Sequence, residues 1–200
     1  MPARARTSAV PNGIVLALAV VAVFRAADAR AKDAAERPQI PNVVISWKGR
    51  DLHVETWLAP GLPKDVEQRL SSGLPTTVTW RVRLFEFHNF WLWDSLKDER
   101  RYEVTATFRP VSADWLVERR LDDRLLAADL VPTREEAARL LTRVPKVPFF
   151  TMGPDIAGKP LVVRVRCLYA RSVALGVMPT TIETDWRRST IFAWNSGPEP

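Results

Sequence analysis

From Asn42 onward the chain alternates apolar and polar residues with a period of two. Val43, Ile45 and Trp47 alternate with polar or smaller neighbours, Lys48-Gly49-Arg50 supplies a turn, and Leu52, Val54, Thr56 and Leu58 continue on one face. This pattern predicts a β-hairpin. Val78, Trp80, Val82 and Leu84 alternate with Thr79, Arg81 and Arg83, and Tyr102, Val104, Ala106 and Phe108 with Glu103, Thr105, Thr107 and Arg109. Leu161, Val163, Val165, Cys167 and Tyr169 stand opposite Arg164 and Arg166 in the same way. Each run predicts a strand with one face in the core and the other in water. Trp115 and Val117 mark a further short strand, and Trp186, Thr190, Phe192 and Trp194 keep phase in a last one near residues 184–194.

Two segments switch to the helical period. In Leu62 to Leu70, Pro63 suits a first helical position, Val66 and Leu70 lie one turn apart, and Gly73 can close the C-terminus. In the second, Thr133 and Glu136 form a capping box, Ala137, Leu140, Leu141 and Val144 share a face, and Pro145 stops the run. Helices this short are not stable alone, so both must dock on the sheet. The predicted fold is mainly β, an antiparallel β-sandwich or partly open barrel with two short docked helices.

The segment before this domain reads differently. Arg4 and Arg6 precede an uninterrupted apolar run from Gly13 to Phe24, followed by Arg-Ala-Ala-Asp-Ala-Arg-Ala. The run has the length of a secretory signal core and falls short of the roughly 20 residues that cross a bilayer as a helix. Residues 1–31 are therefore expected to be a signal peptide cleaved after Ala29 or Ala31, which directs the domain to the periplasm. The alternative is an uncleaved segment that anchors it to the inner membrane, with Arg25 and Arg30 as flanking charges. Residues 32–41, polar with two prolines, read as a flexible linker, and residues 42–197 as a single β-rich domain.

Charge and composition narrow the chemistry. The formal charge is +6, and half of it comes from Arg4, Arg6, Arg25 and Arg30 less Asp28 in the expected leader. A nucleic-acid partner built on the basic character thereby loses its footing. With one cysteine, Cys167, and only His53 and His88 as further soft ligands, the chain has no Cys/His zinc site to build and no internal disulfide. Nucleophile-elbow, phosphate-loop and zinc-protease motifs are absent from the sequence. His53 alternates with Leu52 and Val54 and is expected on the wet face of its strand; His88 lies among aromatics, as a packing residue would. No catalytic residue, cofactor or metal is assigned.

Two constellations remain as binding candidates. Phe85 to Asp94, FEFHNFWLWD, carries Phe87, Phe90, Trp91 and Trp93 in one short stretch. Such rings fill the end of a core or line a contact patch or ligand mouth. Asp94 is placed to accept from an indole N–H or to cap the next turn. The second constellation is Arg81 with Arg83 and Arg164 with Arg166, each pair on one face of its strand. If the two strands were neighbours, four guanidinium groups would line one surface suited to phosphate or carboxylate; otherwise Glu55 and Glu103 balance a solvated face.

With these residues located, the chain resembles the exported bacterial family catalogued as domain of unknown function 4390. The features that match are a leader, an opening hairpin, a short helix ending in Ser71-Ser72-Gly73-Leu74-Pro75, and an Arg-x-Arg strand leading to Phe90-Trp91-Leu92-Trp93-Asp94. A strand from Tyr102, a capped helix, the strand Val162 to Arg166 and a closing Asp185-Trp186 through Trp194 complete the order. Val177-Met178-Pro179 stands where such relatives usually show a Leu-Pro turn. The resemblance implies a periplasmic or envelope protein of undetermined activity and transfers no catalytic residues.

The expected function is that of a non-enzymatic binding or structural module, contacting an envelope protein or an anionic or amphiphilic envelope component. Alternatives are a carrier of an apolar small ligand in a barrel mouth and a carboxylate-dependent hydrolase. No nucleic acid and no metal are expected as partners.

Overall fold

The computed structural model describes residues 37–88, 94–174 and 178–195, with the side chains of 170–174 and 178–181 left aside. The expected leader, residues 32–36 of the linker, and Phe90, Trp91 and Trp93 lie outside the described residues. In chain order the elements are β1 (Val43–Lys48), β2 (Asp51–Trp57), α1 (Lys64–Ser71), β3 (Thr76–Glu86), β4 (Ser95–Arg109), β5 (Asp114–Leu121) and β6 (Arg124–Val131). Then follow α2 (Arg134–Leu141), β7 (Arg143–Thr151), a 3-10 turn (Pro154–Ile156), β8 (Pro160–Ala174), β9 (Met178–Glu183), β10 (Arg187–Arg188) and β11 (Phe192–Ala193).

The strands form two antiparallel sheets, a small one in the order β1-β2-β7 and a large one in the order β10-β8-β3-β4-β5-β6, with β9 and β11 also pairing on β8. With two short helices packed on it, this is the mainly β sandwich or open-barrel architecture that the period-two pattern predicts. The inward positions of that pattern are the core. Val78, Trp80 and Val82 of β3, Tyr102 and Val104 of β4, and Val163, Val165 and Cys167 of β8 are all fully buried. Leu52 and Val54 of β2 face them from the small sheet, and Val66, Leu70, Ala137 and Leu141 close the core from the helices. Burial pushes the Cys167 thiol well above its usual range. It also raises the Tyr102 phenol to about 12, against a smaller opposing effect of Arg119.

The helix signals read correctly in part. Thr133 Oγ1 accepts from the Glu136 N–H at 3.2 Å, the expected cap of α2. Pro63 sits one position earlier than expected, at the N-cap of α1. Gly73 has φ +73°, a left-handed conformation in which a glycine closes a helix without strain.

Three segments depart from expectation. The helix ends at Leu141, so Val144, expected on its face, and Pro145, expected to stop it, both lie inside β7, a strand the sequence pattern does not announce because Pro145 and Pro148 interrupt it. Among the described residues β7 pairs with β2 alone, with register shifts between Leu52/His53 and Val54/Thr56, and an edge strand tolerates a missing N–H. β6 has no apolar alternation to announce it, yet it pairs along β5 after the Asp122-Asp123 turn, whose residues have φ of 46° and 68°. The expected last strand near residues 184–194 is divided into the two short pairings of β10 and β11 on β8. His53, expected in water, is half-buried across from Ser46 and Pro148, and both ring nitrogens are shielded without a hydrogen-bond partner among the described residues.

Candidate arginine face

β3 and β8 are neighbours, and their register sets Arg81 opposite Arg166 and Arg83 opposite Arg164. The four arginines singled out from the two strands thus share one outward face, as the conditional reading of the sequence required. The face is wider than those four. On the far side of β3, Arg101 of β4 stands opposite Arg81, and on the far side of β8, Arg188 of β10 stands opposite Arg164. Like charges directly opposite one another destabilise a ladder, so four such pairs in two adjacent rows need a compensating arrangement.

Part of that compensation is internal, and it is not the one expected. Glu55 belongs to the small sheet, opposite Val44, and takes no part. Instead Arg83 Nε donates to Glu99 Oε2 at 2.8 Å, Arg164 pairs with Asp94, and Arg166 pairs with Glu183. The Asp94 carboxylate, with only 10% of the side chain exposed, pairs with Arg164, while the indoles of Trp91 and Trp93 that it was expected to accept from lie outside the described residues. Glu103 does lie on this face, but it faces Arg101 at 3.6 Å and accepts weakly from Thr79 at 3.4 Å.

Aromatic rings supply the rest. The Trp186 ring lies under two guanidinium groups, with Arg83 and Arg166 at 4.7 and 4.6 Å from its centroid. Arg164 covers Phe85 at 4.5 Å and Arg188 covers Phe87 at 4.9 Å. Cation–π contact disperses charge and fixes each side chain in place. Val162, opposite Phe85 in the register and in phase with Arg164, is fully buried although it lies outside the main core.

The outcome is two hollows on one face. The first, about 290 Å³, is bounded by Arg83, Phe85, Arg164, Trp186 and Arg188. The second, about 320 Å³, lies where α1 overhangs the sheet and is lined by Arg69, Arg81 and Arg101 with Thr77, Thr79 and Glu103. Arg101 is shared between Asp123 at 2.5 Å and Glu103. Arg69, Arg81 and Arg188 have no carboxylate partner among the described residues. A rigid fork of N–H donors without a counter-ion is suited to a carboxylate or phosphate oxygen.

Of the residues singled out from sequence, Arg81, Arg83, Arg164, Arg166 and Phe87 come together on this face. Sequence reading missed Arg69, Arg101, Arg188 and Trp186. Arg101 carried a usable signal, since it has the phase of Glu103 and Thr105 and so belongs to the wet side of its strand. Arg188 and Arg69 carried none, because their place depends on which elements pack beside β3 and β8.

The profile of the family described as a domain of unknown function (DUF4390) matches residues 35–195. No curated protein and no solved structure matches the chain.

Proposed function

Since the chain belongs to the DUF4390 family, whose description names no activity, its role has to be read from its own surface, and we propose that it is a non-enzymatic binding module of the periplasm. Its arginine face takes the phosphate groups of an anionic, amphiphilic envelope component. The observation that carries this reading is the set of four cross-strand arginine pairs in which Arg81 and Arg188 lack any carboxylate among the described residues. A fold gains nothing from facing like charges across a ladder, whereas an anionic ligand converts the repulsion into binding. Phe85, Phe87 and Trp186, interleaved with the guanidinium groups, favour an amphiphile over a bare ion.

Co-sedimentation of the purified chain with phosphatidylglycerol vesicles, against phosphatidylcholine vesicles, tests the proposal. Binding is expected to the anionic vesicles alone, to weaken as salt is raised, and to be lost in an Arg81→Glu, Arg188→Glu variant that keeps its circular-dichroism spectrum. Equal binding to both vesicle types, or undiminished binding by the charge-reversed variant, would overturn it.

A further inference from the structure

The large sheet ends in a strand that is open and apolar. Among the described residues β6 pairs only with β5, so the N–H and C=O groups along its other edge have no strand beside them. Exposed sheet edges are ordinarily blunted by lysine, proline, a short strand, a bulge or an inward-pointing charge. β6 runs for eight residues, RLLAADLV, with no lysine or proline, and its guards are confined to one register shift and to Asp129, which Arg119 already neutralises. It also carries Leu125, Leu126 and Leu130, exposed to 49%, 43% and 56%, three of the eight exposed large apolar side chains among the described residues.

The register on β5 shows how these leucines are disposed. Leu130 and Ala128 stand opposite Leu116 and Glu118, while Ala127 and Asp129 stand opposite Arg119 and Val117, with the buried Val117 marking the core side. Between Arg119 and Arg120 the register shifts by one residue, which leaves Leu126 as the extra residue of a bulge beside Leu125. Asp129 is already held by Arg119 on the core side. The strand's two charges, Arg124 and Asp129, cancel, so a segment of a strongly basic chain is here electrically neutral.

We infer that β6 is the interface for a second copy of this chain, paired edge to edge and antiparallel about a two-fold axis through Ala128. That register sets Leu126 against Leu130 of the other copy, twice, and Ala127 against Asp129. Ala128 meets its own symmetry mate, where a small side chain lets the strands approach. No like charges meet along the strand, whereas a basic partner surface elsewhere on the chain would repel its copy. Edge pairing supplies main-chain hydrogen bonds, and the leucine pairs remove apolar surface from water. The inference is independent of the arginine face.

The test uses the purified full chain. Sedimentation at tens of micromolar is expected to give a dimer, and an Ala128→Cys variant is expected to form a disulfide-linked dimer under mild oxidation. Paired residues lie about 4.5–5.5 Å apart between Cα atoms, inside the range a disulfide spans. Cys167 is buried and stays silent. A Leu116→Cys control, one strand in from the edge, is expected to remain uncrosslinked. Changing Leu126→Lys and Leu130→Lys together is expected to give a monomer, with circular dichroism verifying the fold since both side chains are already exposed. A monomeric native chain, a dimer that persists in the lysine variant, or an Ala128→Cys variant that does not crosslink would each overturn the inference.

Discussion

The two hollows of the arginine face share a strand, a sign of charge and a register rule, yet they use their arginines differently. At the β10 end, Arg83, Arg164 and Arg166 are each committed twice, to a carboxylate and to an aromatic ring. At the α1 end, Arg81 and Arg69 have neither among the described residues. The comparison teaches that a row of arginines is not one functional unit. Where guanidinium groups are stacked and paired they fasten strands together, and where they are not they remain available to a ligand. Alanine changes at the paired and stacked Arg83, Arg164 and Arg166 should therefore act mainly on stability, and changes at Arg69, Arg81 and Arg188 mainly on binding.

Trp186→Ala is the strongest test of that division. It removes the ring under both Arg83 and Arg166 and the packing that holds β10 on β8. A loss of about 2–3 kcal/mol is expected from a partly buried Trp with two cation–π partners, read as a lower urea midpoint. A change within error would mean that the stack fastens nothing. Next, Asp94→Ala strips the carboxylate from Arg164 while leaving Arg83 and Arg188 beside it, and about 1–2 kcal/mol of destabilisation is expected. The effect should shrink if Arg83 is replaced as well, because the repulsion left behind is then smaller; a double-mutant cycle reads this coupling directly.

Arg81→Gln should move the other way. With Arg101 and Arg166 across the ladder and no carboxylate of its own, its removal is expected to leave stability unchanged or raise it by about 0.5 kcal/mol. Vesicle binding should fall at the same time. A clear loss of stability would move Arg81 into the fastening group and erase the distinction between the hollows.

The smallest expected effect is a pH dependence at the edge of the face. Hydrogen bonds from Lys97 at 2.7 Å, and from Lys159 at 3.4 Å, hold the Glu86 carboxyl below its ordinary 4.5, against a smaller opposing cost of burial. A depressed folded-state pKa stabilises the fold above the unfolded value and is lost as pH falls through and below it. Thermal stability of the native chain is expected to fall more steeply on acidification below about pH 4.5 than that of Glu86→Gln. Parallel curves would show that the lysine contacts carry no stability.

Much of the sheet was legible because burial on one face imposes period two. Tyr102 to Phe108 and Leu161 to Tyr169 could hardly be read otherwise. The α2 cap was legible for a local reason as well, since Thr133 Oγ1 accepts from the N–H of Glu136, three residues on in the same helix terminus. β6 and β7 were not. Ala127 and Ala128 have no contrast between faces, and Pro145 and Pro148 are read as breakers until one knows that β7 lies at an edge. Within the site, Arg81, Arg83, Arg164 and Arg166 were found by alternation, but their counter-ions were misassigned. Glu99, Asp94 and Glu183 come from three different segments, and nothing local ties any of them to an arginine.

The sequence by itself determined which residues face water on the alternating strands β3, β4 and β8, that the domain is antiparallel β with two docked helices, and that only one cysteine and two histidines are present. These follow from intervals of two to four residues, which local geometry and burial dictate. Only the tertiary structure decided that β3 and β8 are neighbours in the register that sets arginine against arginine, that Trp186 lies under two of them, and that β6 is the last strand of its sheet among the described residues. Strand order and register are settled by the packing of the whole core, and residues as far apart as Arg81 and Arg166 carry no mark of each other until that core forms.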